Sequence, residues 1–120
     1  MTPVEMGLLL LAGHAFADYP LQSDFMARGK NRNRPIENVP PGQTPMTVWP
    51  YILTAHATVH GTFVGVITGI WWLGLLEALA HWCIDFGKCE NWYGIHADQW
   101  AHIAFKGLWL AIAVYLGSAA

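Results

Sequence analysis

One stretch limits what this chain can become: Glu77-Ala-Leu-Ala-His81-Trp-Cys-Ile-Asp85-Phe-Gly-Lys88, at the end of a strongly apolar run that begins near Gly69. At about 100° per residue, Glu77, His81, Asp85 and Lys88 share one narrow stripe of a helix, and Leu, Ala, Trp and Ile fill the remainder. Such a helix needs its stripe enclosed. Ionisable groups in an apolar setting are costly unless they pair, bind a metal or line a wet cavity, so the stripe marks a functional site.

The surroundings are equally apolar. Of 120 residues, 54% are hydrophobic and only 12% are charged, with seven Trp. That is enough chain for one small domain, but too few charges to cover a soluble one, and the apolar residues come in long runs. The expected fold class is all-α: an integral membrane four-helix bundle with a polar, metal-binding core near the cytoplasmic face. A formal net charge of −2 argues against nucleic-acid binding, and the only basic cluster, Arg28 to Arg34, sits in one loop. Cys83 and Cys89 match neither a C-x-x-C redox pair nor a zinc-ribbon spacing, and are expected as unpaired thiols.

In chain order, the first helix is expected over about 3–18. Ala15-Phe16-Ala17 imitates a signal-peptide cleavage site, but no Lys or Arg precedes the apolar run and Glu5 does, the reverse of such a signal; Pro20 stops the helix. A polar loop is expected over 24–48, rich in Arg, Asn, Pro and Gly. Helices over about 50–69 and 71–88 form a tight hairpin. Ala57, Gly61, Gly65 and Gly69 recur every fourth residue and allow a close helix approach. Asn91-Trp-Tyr-Gly is a turn, and a last helix runs over about 96–116.

Arg28, Lys30, Arg32 and Arg34 lie between the first two helices and Lys88 between the last two. By the positive-inside rule both loops face the cytoplasm, so the expected placement is multi-pass in the inner (cytoplasmic) membrane, with both termini on the far side. His14 and Asp18, His56 and His60, His81 and Asp85, and Asp98 and His102 then reach the same depth from four helices. Each pair has i, i+4 spacing, which puts both side chains on one helix face. Imidazoles and carboxylates from facing helices are how bundle cores hold transition metals. These eight residues are the expected metal ligands. A purely structural polar network and a proton or ion path are the competing readings.

The strings His14-Ala-Phe-Ala-Asp18-Tyr-Pro-Leu-Gln22-Ser-Asp24-Phe-Met-Ala-Arg-Gly-Lys30, His56-Ala-Thr-Val-His60, Glu77 to Lys88 and Asp98-Gln-Trp-Ala-His102 resemble the pattern of a family of small bacterial and phage membrane proteins, domain-of-unknown-function family 3307. The resemblance spans nearly the whole chain. It implies that the polar positions form one shared site and brings no activity with it.

So many ligands exceed the needs of one tetrahedral ion, which favours two divalent ions, or one with a carboxylate base and supporting partners; Zn is expected first, then Fe or Mn. A bound ion lowers the pKa of its water and makes a nucleophile at neutral pH. Glu77, Asp85 and Lys88 are the catalytic candidates. Lys30 and Arg28 are expected at the rim with Lys88, suited to a phosphate, and Gln22 and Gln99 adjoin the ligand pairs. The leading function is a membrane-embedded metal-dependent hydrolase acting on a phosphoester or similar bond of a lipid or lipid-linked substrate. A di-iron desaturase- or hydroxylase-like oxidoreductase is second, weakened by the small number of His. A non-enzymatic metal-binding or host-interacting membrane protein, such as a phage uses, is third. Glu77 and Lys106 are expected to pair beneath the site, or else Glu77 becomes a ligand and Lys106 snorkels outward.

Overall fold

The computed structural model describes residues 1–34, 41–42 and 47–120, so 35–40 and 43–46 of the expected polar loop, Asn38 among them, lie outside the described residues. The described residues form five α-helices and no strand: α1 (Pro3–Asp18), α2 (Asp24–Gly29), α3 (Trp49–Thr68), α4 (Trp71–Cys89) and α5 (Ile95–Tyr115). The all-α expectation holds, and the long helices start and stop within one residue of the expected bounds. The expected loop over 24–48 is corrected at its start. α2 forms there because the Ser23 hydroxyl accepts the Met26 N–H at 3.2 Å, while Asp24 and Arg28 suit the two ends of the helix dipole.

Local signals fix the long helices too. Glu5 accepts the Thr2 N–H at 2.7 Å and Thr2 Oγ accepts the Glu5 N–H, a capping box that opens α1 at Pro3. Pro20 cannot continue that helix, and the Gln22 amide donates to the Asp18 carbonyl at 2.9 Å, satisfying one of the end groups left over. α5 ends in a Schellman motif: Gly117 takes φ 79° and the Ser118 N–H donates to the Ala113 carbonyl.

α3 and α4 are joined by only Gly69 and Ile70, with Gly69 at φ 70°, so they must run antiparallel. Their backbones touch. A Cβ on Gly61 would lie 2.4 Å from the Gly74 carbonyl oxygen, and one on Gly74 would lie 2.6 Å from that of Gly61. Gly61 and Gly65 of the small-residue stripe therefore face α4, whereas Gly69 has nothing within 4 Å and serves the turn. α1 packs on α3 and α5, and α4 packs on the same two, closing a ring in the order α1–α3–α4–α5. The Ala120 N–H donates to the Met1 carbonyl at 3.0 Å, so the termini share one end of the bundle. That end has an ordinary apolar core of Met6, Leu10, Val64, Leu73, Trp109 and Ala113. The other end is filled by polar side chains.

No helix among the described residues is long and apolar enough to cross a membrane. The close approach of α3 and α4 is directly testable. Gly61→Ala should cost about 1–3 kcal/mol through overpacking, while Gly107→Ala, with open space around it, should gain up to about 1 kcal/mol of helix propensity. Unfolding of both variants followed by circular dichroism checks this, and equal midpoints would show that the helices do not touch at Gly61.

Candidate metal centre

The four pairs meet. His14 and Asp18 end α1, His56 and His60 lie in the middle of α3, His81 and Asp85 in the second half of α4, and Asp98 and His102 in the first turns of α5. The His60 and His81 rings stack with centroids 3.6 Å apart, and His81 and His102 stack at 4.1 Å. His56 stands 5.0 Å from His81 and His14 stands 5.2 Å from His60. His56, His60, His81 and His102 are all at most 1% exposed. His96 remains exposed at the start of α5.

Two overlapping groups of donors can hold a metal ion: Asp18, His56, His60 and His81, with ligand atoms all within 4.8 Å of one another, and His81, Asp85 and His102 on the same criterion. His81 belongs to both. The spacings are of two kinds, and one is an ordinary hydrogen-bond distance: His60 Nε2 lies 2.8 Å from Asp18 Oδ1. His56 Nε2 is 3.3 Å from Asp18 Oδ1 and 3.5 Å from Asp85 Oδ2, His81 Nε2 is 3.5 Å from Asp85 Oδ2, and His102 Nε2 is 3.4 Å from Asp85 Oδ1. These are long for hydrogen bonds. They match the roughly 3.3 Å edge of a tetrahedron whose ligands sit about 2.0–2.1 Å from the ion. In addition, His56 Nε2, His60 Nδ1 and both ring nitrogens of His81 are buried without a hydrogen-bond partner among the described residues. An unsatisfied buried polar atom costs about 1–3 kcal/mol. Several such atoms lie on neighbouring rings of residues that could hold an ion.

Around these donors sit residues that aim them. Gln99 Nε2 donates to Asp18 Oδ2 at 3.2 Å and to Asp98 Oδ2 at 3.1 Å, while its Oε1 accepts from His14 Nε2 at 3.1 Å. His14 and Asp98 therefore fall outside both donor groups, unlike the expectation that they are ligands. His14 spends its Nε2 on Gln99, and Asp98 sets His102 from 3.3 Å. Gln22 is tied to the α1 backbone, with no contact to a donor atom.

The charged residues also depart from their expected places. Lys30 is 5% exposed rather than at the rim, and its Nζ donates to Asp85 Oδ2 at 2.7 Å. Arg32 pairs with Glu90 and holds the Glu90 carboxyl below its usual range, and Asn33 Nδ2 donates to the Cys89 carbonyl at 3.0 Å. The segment after α2 is thus fastened to the end of α4 with Lys30 beneath it. Arg28 is exposed and Lys88 half-buried, and neither belongs to either donor group. Cys83 and Cys89 are unpaired thiols, as expected.

Glu77 and Lys106 form the expected buried ion pair, and Trp109 Nε1 donates to Glu77 Oε2 at 2.5 Å. With both oxygens engaged and Oε1 3.6 Å from His81 Nδ1, Glu77 belongs to neither donor group. It stands behind His81. Trp109 is a partner that the sequence reading missed, although it continues the His102 and Lys106 stripe by one turn. No protein-family model matches the chain, and neither a curated protein nor a solved structure is significantly similar to it.

Removing one member of the pair leaves a buried uncompensated charge, at about 3–5 kcal/mol. Lys106→Met should destabilise by that amount, and adding Glu77→Gln should recover most of it. A double-mutant cycle on unfolding midpoints gives the coupling; additive costs would mean that the two groups do not interact.

Proposed function

We propose that the chain is a membrane-embedded, metal-dependent hydrolase that acts on a phosphoester or similar bond of a lipid or lipid-linked molecule. The observation that carries the metal part is the set of buried, unpartnered imidazole nitrogens at coordination spacing beside Asp18 and Asp85. Histidine with carboxylate suits Zn, Fe or Mn.

The membrane part rests on which side chains face out. Val4, Leu8, Trp71, Leu75, Leu79, Val66 and Trp100 are all more than 60% exposed, while Glu77, His81, Asp85, Asp98 and Lys106 are buried. Water would penalise so much exposed apolar surface, and a bilayer would favour it. The helices fall short on hydropathy because their averages include the inward polar stripes, which lipid never meets. α3, α4 and α5 have 20, 19 and 21 residues, and at 1.5 Å per residue this is close to the roughly 30 Å of a hydrocarbon core. In this reading the polar end, with Arg28 to Arg34, faces the cytoplasm.

Hydrolysis follows from what an ion could do there. A divalent ion on these ligands lowers the pKa of a bound water and polarises a phosphoryl oxygen. Asp18, the least buried of the donors at 11% side-chain exposure, is where water and substrate would enter. Lys30 supplies a positive charge beside the site and Arg28 a second one outside it, which suits an anionic group.

The chain purified in detergent should carry stoichiometric zinc or manganese and remain in membranes washed with alkaline carbonate. His60→Ala and His81→Ala should lose the metal. Metal-loaded wild type should release phosphate from phosphatidic acid in mixed micelles, and both variants should do so about a hundredfold or more slowly. Retention of metal in both removes the site, iron with a visible chromophore points to oxidation, and phosphate release unaffected by either substitution removes the hydrolase.

A further inference from the structure

Lys30 is out of place for an anchoring residue. A lysine that only met lipid head groups would snorkel outward, yet this one follows the last turn of α2 and turns inward to a carboxylate that is itself 3% exposed. The oxygen it engages is informative. Asp85 Oδ2, 2.7 Å from Lys30 Nζ, is the same oxygen that stands 3.5 Å from His56 Nε2 and 3.5 Å from His81 Nε2, both of which lack a hydrogen-bond partner. A cation already sits on the atom that would tie the two donor groups together.

We infer that the Lys30 ammonium holds the place of a second metal ion, so that the chain takes one divalent ion, on Asp18, His56, His60 and His81, and keeps Asp85 as the counter-ion of Lys30. The inference rests on the metal reading above and fixes its stoichiometry. A dipositive ion at His81, Asp85 and His102 would face the ammonium across one carboxylate, and the like charges would repel in a site from which water is largely excluded. The Asp18 group contains no such cation. Its carboxylate is met by imidazoles and by the Gln99 amide, with no lysine or arginine nitrogen at ion-pair distance among the described residues. The pairs Arg32 with Glu90 and Asn33 with the Cys89 carbonyl hold the chain beyond Lys30 against α4, which keeps the ammonium in place. The site then offers two cations of different kinds, a metal ion and an ammonium. An anionic group arriving between them can take over the ammonium from Asp85.

The test counts ions in the full chain, purified in detergent, saturated with Zn²⁺, freed of excess by gel filtration and analysed by mass spectrometry of the metal per polypeptide. Wild type should hold one Zn²⁺, Lys30→Gln two, and Lys30→Gln with Asp85→Asn one. Two ions in wild type, one in folded Lys30→Gln, or none in the double variant overturns the inference. No ion in wild type overturns the metal reading itself, which separates the two failures. If Lys30→Gln does not fold, wild type and the double variant, which has lost both charges together, decide the matter: one ion in each supports the inference, and two in wild type or none in the double variant overturns it.

Discussion

A carboxylate can be buried only if something positive, or something that donates hydrogen bonds, is buried with it. The bundle follows from that condition. Stripping the water from one ion costs several kcal/mol even after relaxation, and this chain buries Glu77, Asp85 and Asp98 and nearly buries Asp18. Each has its own compensation, and for all but Asp98 it comes from another helix or segment. Lys106 and Trp109 of α5 meet Glu77 of α4, Lys30 after α2 meets Asp85 of α4, Gln99 of α5 and the α3 histidines meet Asp18 of α1, and Gln99 and His102 meet Asp98 within α5. Rotating any of the helices would separate at least one of these sets, so charge compensation fixes rotation more sharply than apolar packing could.

Backbone contact sets the distance between α3 and α4. Gly61 and Gly74 let the helices approach until a methyl group would collide with a carbonyl oxygen, and at that separation His60 and His81 stack at 3.6 Å. Larger residues at the crossing would push the helices apart and spread the donor atoms beyond the reach of a single ion. The turn at Gly69 makes the pair antiparallel, which brings the start of α3 and the end of α4 to one end of the bundle. The apolar cluster around Leu73, Val64 and Met6 is left to fill the other end. The polar cluster and the hydrophobic core thus divide the bundle between them along its axis.

Most of this was legible because helical periodicity is strict. The i, i+4 spacing of His14 with Asp18, His56 with His60, His81 with Asp85 and Asp98 with His102 requires each pair to share a face, and the helix-ending signals around Pro20, Gly69 and Asn91 place those faces at one level. The Glu77 and Lys106 pair was legible for the same reason. Spacing cannot say which member of a pair points at an ion and which steadies its neighbour. That depends on rotamers and on a third residue, as with Gln99, which draws His14 and Asp98 away from the donor groups. Lys30 was misplaced for a different reason. It belongs to a segment without long periodicity, and its inward turn depends on contacts to Asp85 from a sequence separation of 55 residues, which no local pattern encodes.

The hydropathy of these helices makes sense once the two faces are separated. α4 carries Glu77, His81, Asp85 and Lys88 along one stripe, and Trp71, Leu75 and Leu79 along another. Averaged over the helix, the first stripe cancels much of the second. An average describes a helix alone, whereas in the bundle the charged stripe of α4 is covered by α3 and α5 on either side. The relevant free energy is that of the assembled bundle, in which the charged groups are compensated and the outward face of α4 is aromatic and aliphatic. A polar core that could hold an ion and an apolar exterior are therefore two consequences of one arrangement: the stripes turned away from the apolar exterior are the stripes that build the polar cluster.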